Sequence, residues 1–218
     1  MKRINKISVI IPCYNEEKTI MEVVRSVEKE LINLKKSFEI IVVDDSSTDN
    51  SLIELKVLEE NKKIILLEHQ KNLGKGAALK TGIKKVTGDI VIIQDVDLEY
   101  SPKDYSKLLL PFEEADADVV YGSRFLGGKY VRIHFFWHYL ANKILTSLCN
   151  IVTNLNLSDM ETGYKAFRTS KILDSNFREN SFGIEPEITI KLAKKNVNFL
   201  RFRYLIMEER IKREKKFN

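Results

Sequence analysis

Cysteine is nearly absent from this chain: Cys13 and Cys149 are the only two. Two thiols cannot build a disulfide framework, and these lack metal-ligand spacing, so a reducing, cytosolic compartment is expected. Long apolar runs are missing as well. No stretch reaches the roughly 18 to 20 uninterrupted apolar residues of a membrane span. The run "ISVIIP" after "MKRINK" is too short and too β-branched for the apolar region of a signal peptide. The expectation is a protein that is soluble or peripherally bound to a membrane. Glycine is absent from "PCYNEE", where a dinucleotide-binding fold needs G-x-G-x-x-G for its backbone to approach a pyrophosphate, which argues against a Rossmann dehydrogenase. Internal repeats and low-complexity segments are not visible either.

What remains is a chain of 218 residues with 44% hydrophobic content, enough for one substantial core, and residues 1–218 are read as a single domain. The formal net charge of +5 is compatible with a phosphate-rich ligand, nucleic acid, an anionic membrane surface or simple solubility, and alone does not choose among them.

Apolar β-branched runs recur at Ile7 to Pro12, Phe38 to Asp45, Lys63 to His69, Asp89 to Asp95 and Ala117 to Gly122. They read as buried strands. Between them, Glu17 to Leu34, Ser51 to Glu59 and Gly76 to Val86 have helical spacing. This alternation predicts an α/β fold with a mostly parallel sheet covered by helices on both faces. Ligands of such sheets bind beyond the carboxyl ends of the strands, which makes the residues after each run the ones to weigh.

After the first run, Asn15 with Glu16 and Glu17 reads either as a helix N-cap with acids in its first turn or as ligand contact. After the second, Asp44 and Asp45 exceed what one cap requires. After the third, "NLGKGAALKTG" places Lys75 at a helix start between glycines but lacks the spacing of a P-loop. The fourth run ends in "QDVDLEY". Alternate residues of an extended chain share a face, so Asp95 and Asp97 point together while Val96 turns to the core. Two carboxylates there suit Mg²⁺ or Mn²⁺, hard cations commonly held by one or two acids and completed by phosphate oxygens. The competing reading is a solvated turn.

In order along roughly residues 7 to 195, "SVIIPCYNEEKTI", "EIIVVDDSSTDNS", "NLGKGAALKTG", "GDIVIIQDVDLEY", "VVYGSRFLGG" and "DMETGYKAFR" resemble the family 2 glycosyltransferases, and within them the dolichyl or polyprenyl phosphate mannosyltransferase group. The resemblance implies a GT-A fold, a nucleotide-sugar donor (a GDP- or UDP-hexose), a divalent metal (Mg²⁺ or Mn²⁺) and inversion at the anomeric carbon. It puts Pro12, Tyr14 and Glu16 at the nucleotide pocket, Val43 and Asp45 against base or ribose, and Asp95, Val96 and Asp97 at the metal and diphosphate. Glu99 is implied as a further metal or water ligand.

Arg124 matches an arginine that meets phosphate, and its planar fork suits that role. Arg132 and Lys143 are further candidates for an acceptor phosphate. The C-terminal "EERIKREKKFN" keeps Arg210, Lys215 and Lys216 but lacks the glycine usual in relatives, so an impaired, nucleotide-sugar-binding homologue is a rival reading. Residues 125–218 form the acceptor side. There "IHFFWHYLANKILTSLCNIV" carries a polar stripe at His138, Asn142, Thr146 and Asn150 beside a broad apolar face. Such a helix is either packed in the core or laid on a membrane by Phe135, Phe136, Trp137 and Tyr139.

Glu185 is read either as a helix-start acid or as a residue near the sugar. Asp159 and Glu161 are the candidate bases for a sugar or protein hydroxyl acceptor. A receiver-like signalling module, which also collects acids at strand ends, would be about half this length and needs neither D-x-D nor the arginine motif. The implied partners are the nucleotide sugar, a polyprenyl phosphate lipid at the cytoplasmic face of a membrane and a membrane-anchoring subunit. Nucleic acid is not among them.

Overall fold

In a computed structural model of the chain, residues 3–97, 100–123 and 136–203 are described. The first half alternates strand and helix: β1 (Lys6–Cys13), α1 (Ile20–Asn33), β2 (Ser37–Asp44), α2 (Ser51–Glu60), β3 (Ile65–Glu68), α3 (Lys75–Ile83) and β4 (Ile90–Ile93). A short 3₁₀ turn at Pro102–Asp104 leads to α4 (Tyr105–Glu114) and β5 (Val119–Ser123). Then follow α5 (Phe136–Thr153), β6 (Lys165–Arg168), α6 (Thr169–Leu173), α7 (Ile184–Ala193) and β7 (Phe199–Arg203). The strands form one sheet in the order β3-β2-β1-β4-β6-β5-β7. Strand β6 runs antiparallel between β4 and β5, and the remaining pairings are parallel.

The β-branched runs explain the sheet's burial on both faces. Along β1, Val9 and Ile11 belong to one apolar cluster with Val24, Val27 and Leu31 of α1, while Ile10 belongs to another with Ala78 and Leu79 of α3. Close packing on the α3 side needs Gly82, where a Cβ would lie 2.6 Å from the Ile10 side chain. The chain therefore leaves β1, β2 and β4 at the same edge of the sheet, and the polar residues that follow these strands meet there.

Helix α5 reverses the usual arrangement. Its polar residues Asn142 and Thr146 are buried, whereas Ile144, Leu145, Leu148, Ile151 and Val152 are exposed, Ile151 by 78%. Three members of the stripe seen in the sequence face inward: Asn142 Nδ2 donates to Asp159 Oδ1 (3.0 Å), Thr146 accepts from the Met160 amide, and Asn150 exchanges two hydrogen bonds with the Leu157 backbone. Thr146 and Asn150 thereby pair backbone groups of the irregular 154–164 segment, and Asn142 pairs its buried Asp159 carboxylate. Among the described residues, no helix is long and apolar enough to cross a membrane.

Candidate active site

The site begins with the turn after β4. Gln94 is fully buried; its side-chain amide donates to the Asp95 and Tyr100 carbonyls and its Oε1 accepts from the Tyr105 hydroxyl at 2.8 Å. Tyr100 in turn accepts from the Gly163 amide at 2.9 Å and stacks edge-on against Tyr164 at 5.1 Å. These contacts brace the turn so that Val96 is buried while Asp95 and Asp97 both face a cleft of about 420 Å³. Gly163 is part of the geometry, because a Cβ there would stand 2.6 Å from Asp95 Oδ2.

The cleft also receives Pro12, Tyr14, Glu16, Asp45 and Lys75. Thus, among the described residues, all the donor-site residues expected from the sequence except Val43 line one cavity. Val43 is fully buried in the core beside α3, paired with Pro12 and Leu67 within the sheet, and does not line the cleft. Asp45 organises the cleft wall: its carboxylate accepts from the Leu73 and Gly74 amides at 2.9 and 2.7 Å. It also lies 2.6 Å from His69 Nδ1, while His69 Nε2 is 2.9 Å from Thr81 Oγ1.

The capping readings of Asn15 and Asp45 are corrected. Asn15 has φ 56° and stands five residues before α1; its Oδ1 accepts from the Thr48 amide, tying the loop after β1 to the loop after β2. Asn50 precedes α2, and Asp49, not Asp45, accepts from the Ser51 amide. Asp44 accepts from the Ser47 amide, within the loop rather than at the helix. Cys13 also lines the cleft, yet it is buried, and that burial together with the nearby Asp44 pushes its thiol up to about 12. A group held so firmly protonated is a poor nucleophile.

Lys75 joins the site to the C-terminal half of the chain. It is the first residue of α3, the end where the helix dipole disfavours a cation. Two carboxylates compensate: its Nζ lies 2.8 Å from Asp95 Oδ1 and 3.1 Å from Glu185 Oε1. Burial alone would lower its pKa; Asp95 and then Glu185 outweigh burial and hold it well above the ordinary lysine range. Glu185, in the first turn of α7, also pairs with the buried Lys165 of β6. Lys165 and Lys75 overcome the effect of burial and keep the Glu185 carboxyl below its usual range. In the sequence, Lys75 stands out only as part of an unspecific glycine-rich loop. Its one local signal was a lysine set between two glycines at a helix start.

The donor set fits a divalent cation. Asp95 and Asp97 offer hard oxygen ligands on one side of the cleft, and the bare Gly163 leaves the Asp95 carboxylate room. Among the described residues no third acid, histidine or cysteine completes a metal cage. Two acids with the remaining positions left to water and phosphate is the pattern Mg²⁺ commonly takes.

The other expected residues lie elsewhere. Lys143 is on α5, exposed, with its ammonium 5.9 Å from the Tyr139 ring centre. Asp159 is buried against Asn142, and Glu161 is exposed. Glu99, Arg124, Arg132, Arg210, Lys215, Lys216 and Phe135 lie outside the described residues, as do the side chains of Phe136 and His138.

A family model described as glycosyl transferase family 2 matches residues 8–174. The chain is 31% identical over 208 residues to a UDP-N-acetylglucosamine–dolichyl-phosphate N-acetylglucosaminyltransferase of Methanococcus voltae, covering 87% of this chain and 80% of that protein. It is 29% identical over 188 residues to a dolichol-phosphate mannosyltransferase of Pyrococcus furiosus (85% and 53% covered). It is 31% identical over 169 residues to an undecaprenyl-phosphate 4-deoxy-4-formamido-L-arabinose transferase of Proteus mirabilis (77% and 50% covered). The chain thus spans about half the length of the last two relatives. Among solved structures, glucosyl-3-phosphoglycerate synthase of Mycobacterium tuberculosis, crystallised with Mn²⁺, UDP and phosphoglyceric acid, superposes with a TM-score of 0.71 at 20% identity, covering 91% of this chain and 68% of that one. That likeness establishes the GT-A-like fold.

Proposed function

We propose that this chain, which belongs to glycosyl transferase family 2, transfers a hexose, with mannose favoured, from a GDP- or UDP-sugar to a polyprenyl or dolichyl phosphate with inversion. The observation that carries the reading is the convergence of Asp95, Asp97 and Lys75 with Pro12, Tyr14, Glu16 and Asp45 on one cleft at the carboxyl edge of the parallel strands. The names of the relatives support the acceptor class: their sugars differ, yet all three names specify a polyprenol-type lipid phosphate.

In the proposed reaction an acceptor phosphate oxygen bonds to the anomeric carbon as the bond from that carbon to the nucleoside diphosphate breaks, its electron pair leaving with the diphosphate. A phosphate monoester has a second pKa of about 6, so near neutral pH it attacks without a strong general base. A hydroxyl acceptor would need a base such as Asp159, which is buried against Asn142, or Glu161, which is exposed; a phosphate acceptor needs neither. Asp95 and Asp97 would hold Mg²⁺ or Mn²⁺, which supplies positive charge to the departing diphosphate. Pro12, Tyr14 and Glu16 border the nucleotide, Asp45 fixes the loop carrying Gly74 and Lys75, and Val96 anchors the turn between the acids. By resemblance, Glu99 adds a ligand, Arg210 serves the donor, and Arg124, Arg132 and Lys143 serve the acceptor phosphate.

The outward apolar face of α5 supports a peripheral seat on the cytoplasmic face of a membrane, where a lipid presents its phosphate. A membrane-anchoring partner subunit is compatible with that placement, and residues 125–218 form the acceptor side. The test is to incubate purified protein with polyprenyl phosphate vesicles, Mn²⁺ and, in turn, labelled GDP-mannose, UDP-glucose and UDP-N-acetylglucosamine. Label entering a mild-acid-labile lipid is expected. Donor binding without transfer from any of the three would instead favour the impaired homologue.

A further inference from the structure

Lys75 is held more tightly than a solvent-facing lysine needs to be. Gly74 and Gly76 bring its backbone against the 179–181 segment so closely that Cβ atoms at these glycines would lie 2.5 and 2.7 Å from the carbonyl oxygens of Asn180 and Glu179. The Ala77 amide donates to the Asn180 carbonyl at 3.0 Å, fixing the start of α3 beside the start of α7. On that support the ammonium bridges Asp95 and Glu185, and Glu185 is shared with Lys165, itself set over the Tyr121 ring at 5.2 Å. The charges alternate in sign along the row Asp95, Lys75, Glu185, Lys165, from the cleft into the interior.

We propose that Lys75 is a positioning residue that acts as a built-in counter-ion to Asp95: it fixes one carboxylate oxygen and competes for that carboxylate with the divalent cation. Glu185 and Lys165 determine where Lys75 sits. The inference rests on the reading of Asp95 and Asp97 as cation ligands. A unit positive charge a few ångströms from a divalent ion repels it, so the lysine weakens cation binding in the resting site while holding Asp95 in place. The arrangement would keep the cation loosely held until the diphosphate contributes its own oxygens.

The experiment measures Mn²⁺ binding by electron paramagnetic resonance with no nucleotide present, for the wild-type chain and for Lys75→Met, Lys75→Gln and Lys75→Arg. Thermal unfolding identifies the variants that remain folded. The neutral variants are expected to bind Mn²⁺ about tenfold more tightly, and Lys75→Arg to stay near the wild type. Lys75→Gln retains hydrogen-bonding capacity toward both carboxylates and decides the matter if Lys75→Met does not fold. Unchanged or weaker binding in the neutral variants overturns the inference alone, since the wild type would still bind Mn²⁺. If neither the wild type nor the neutral variants bind Mn²⁺ even when a nucleoside diphosphate is added, the cation reading falls and the inference with it. A lysine with only a structural role would lower stability without tightening metal binding.

Discussion

Helices α1 and α5 are both amphipathic, and they are mounted in opposite senses. In α1 the apolar stripe Val23, Val24, Val27 and Leu31 is buried on the sheet, so burial contributes to stability directly. In α5 the polar stripe is buried and the apolar stripe faces out. The difference lies in what each helix covers. Helix α1 lies on a sheet whose backbone is already hydrogen-bonded, whereas α5 covers the irregular 154–164 segment, whose polar groups need Asn142, Thr146 and Asn150. Periodicity reports that a helix has two faces; the neighbour decides which one turns inward.

The two halves meet at the site, and substitutions there should have the largest effects. Asp97→Ala should lower transfer at least about a hundredfold with the fold intact, read in the labelled-lipid assay; full activity with metal present would remove Asp97 from the site. Gly163→Ala places a methyl group of the 154–164 segment against Asp95 and Tyr100. It should reduce transfer about tenfold or more, since small displacements of reacting groups are costly, and wild-type kcat would show that the turn yields freely.

The remaining predictions separate the two helices. Leu31→Ala, beneath α1, should destabilise the fold by about 3 kcal/mol in urea unfolding. Asn142→Ala should cost about 2 kcal/mol, because Asp159 loses a buried donor; a neutral result would mean that the inward polar stripe is not needed. The double substitution Leu148→Ser with Ile151→Ser should change stability by no more than about 0.5 kcal/mol. It should nevertheless weaken sedimentation with anionic phosphatidylglycerol vesicles, and unchanged vesicle binding would leave the outward face unexplained.

Much of the donor side was legible because its signals are local. The β-branched runs predicted β1, β2, β3, β4 and β5 to within a few residues at their ends, and their carboxyl ends pointed to Glu16, Asp45, Asp95 and Asp97, whereas Pro12 and Tyr14 came from the resemblance to family 2 glycosyltransferases. Strands β6 and β7 were not foreseen. Each is short, and β6 lies antiparallel between strands distant in sequence, so its pairing is not written in its own few residues. Asn15 looked like a cap because a polar residue before acids has that pattern; the structure uses it instead to join two loops.

By itself the sequence determined the α/β alternation, the acids at the strand ends and the existence of a two-faced helix at 136–153, since each depends on residue spacing along one segment. Only the tertiary structure decided that α5 turns its polar face inward, that Gly163 makes room for Asp95, and that Lys75 joins Asp95 to Glu185. Those contacts unite segments separated by tens of residues, and their energies depend on which neighbours the fold supplies.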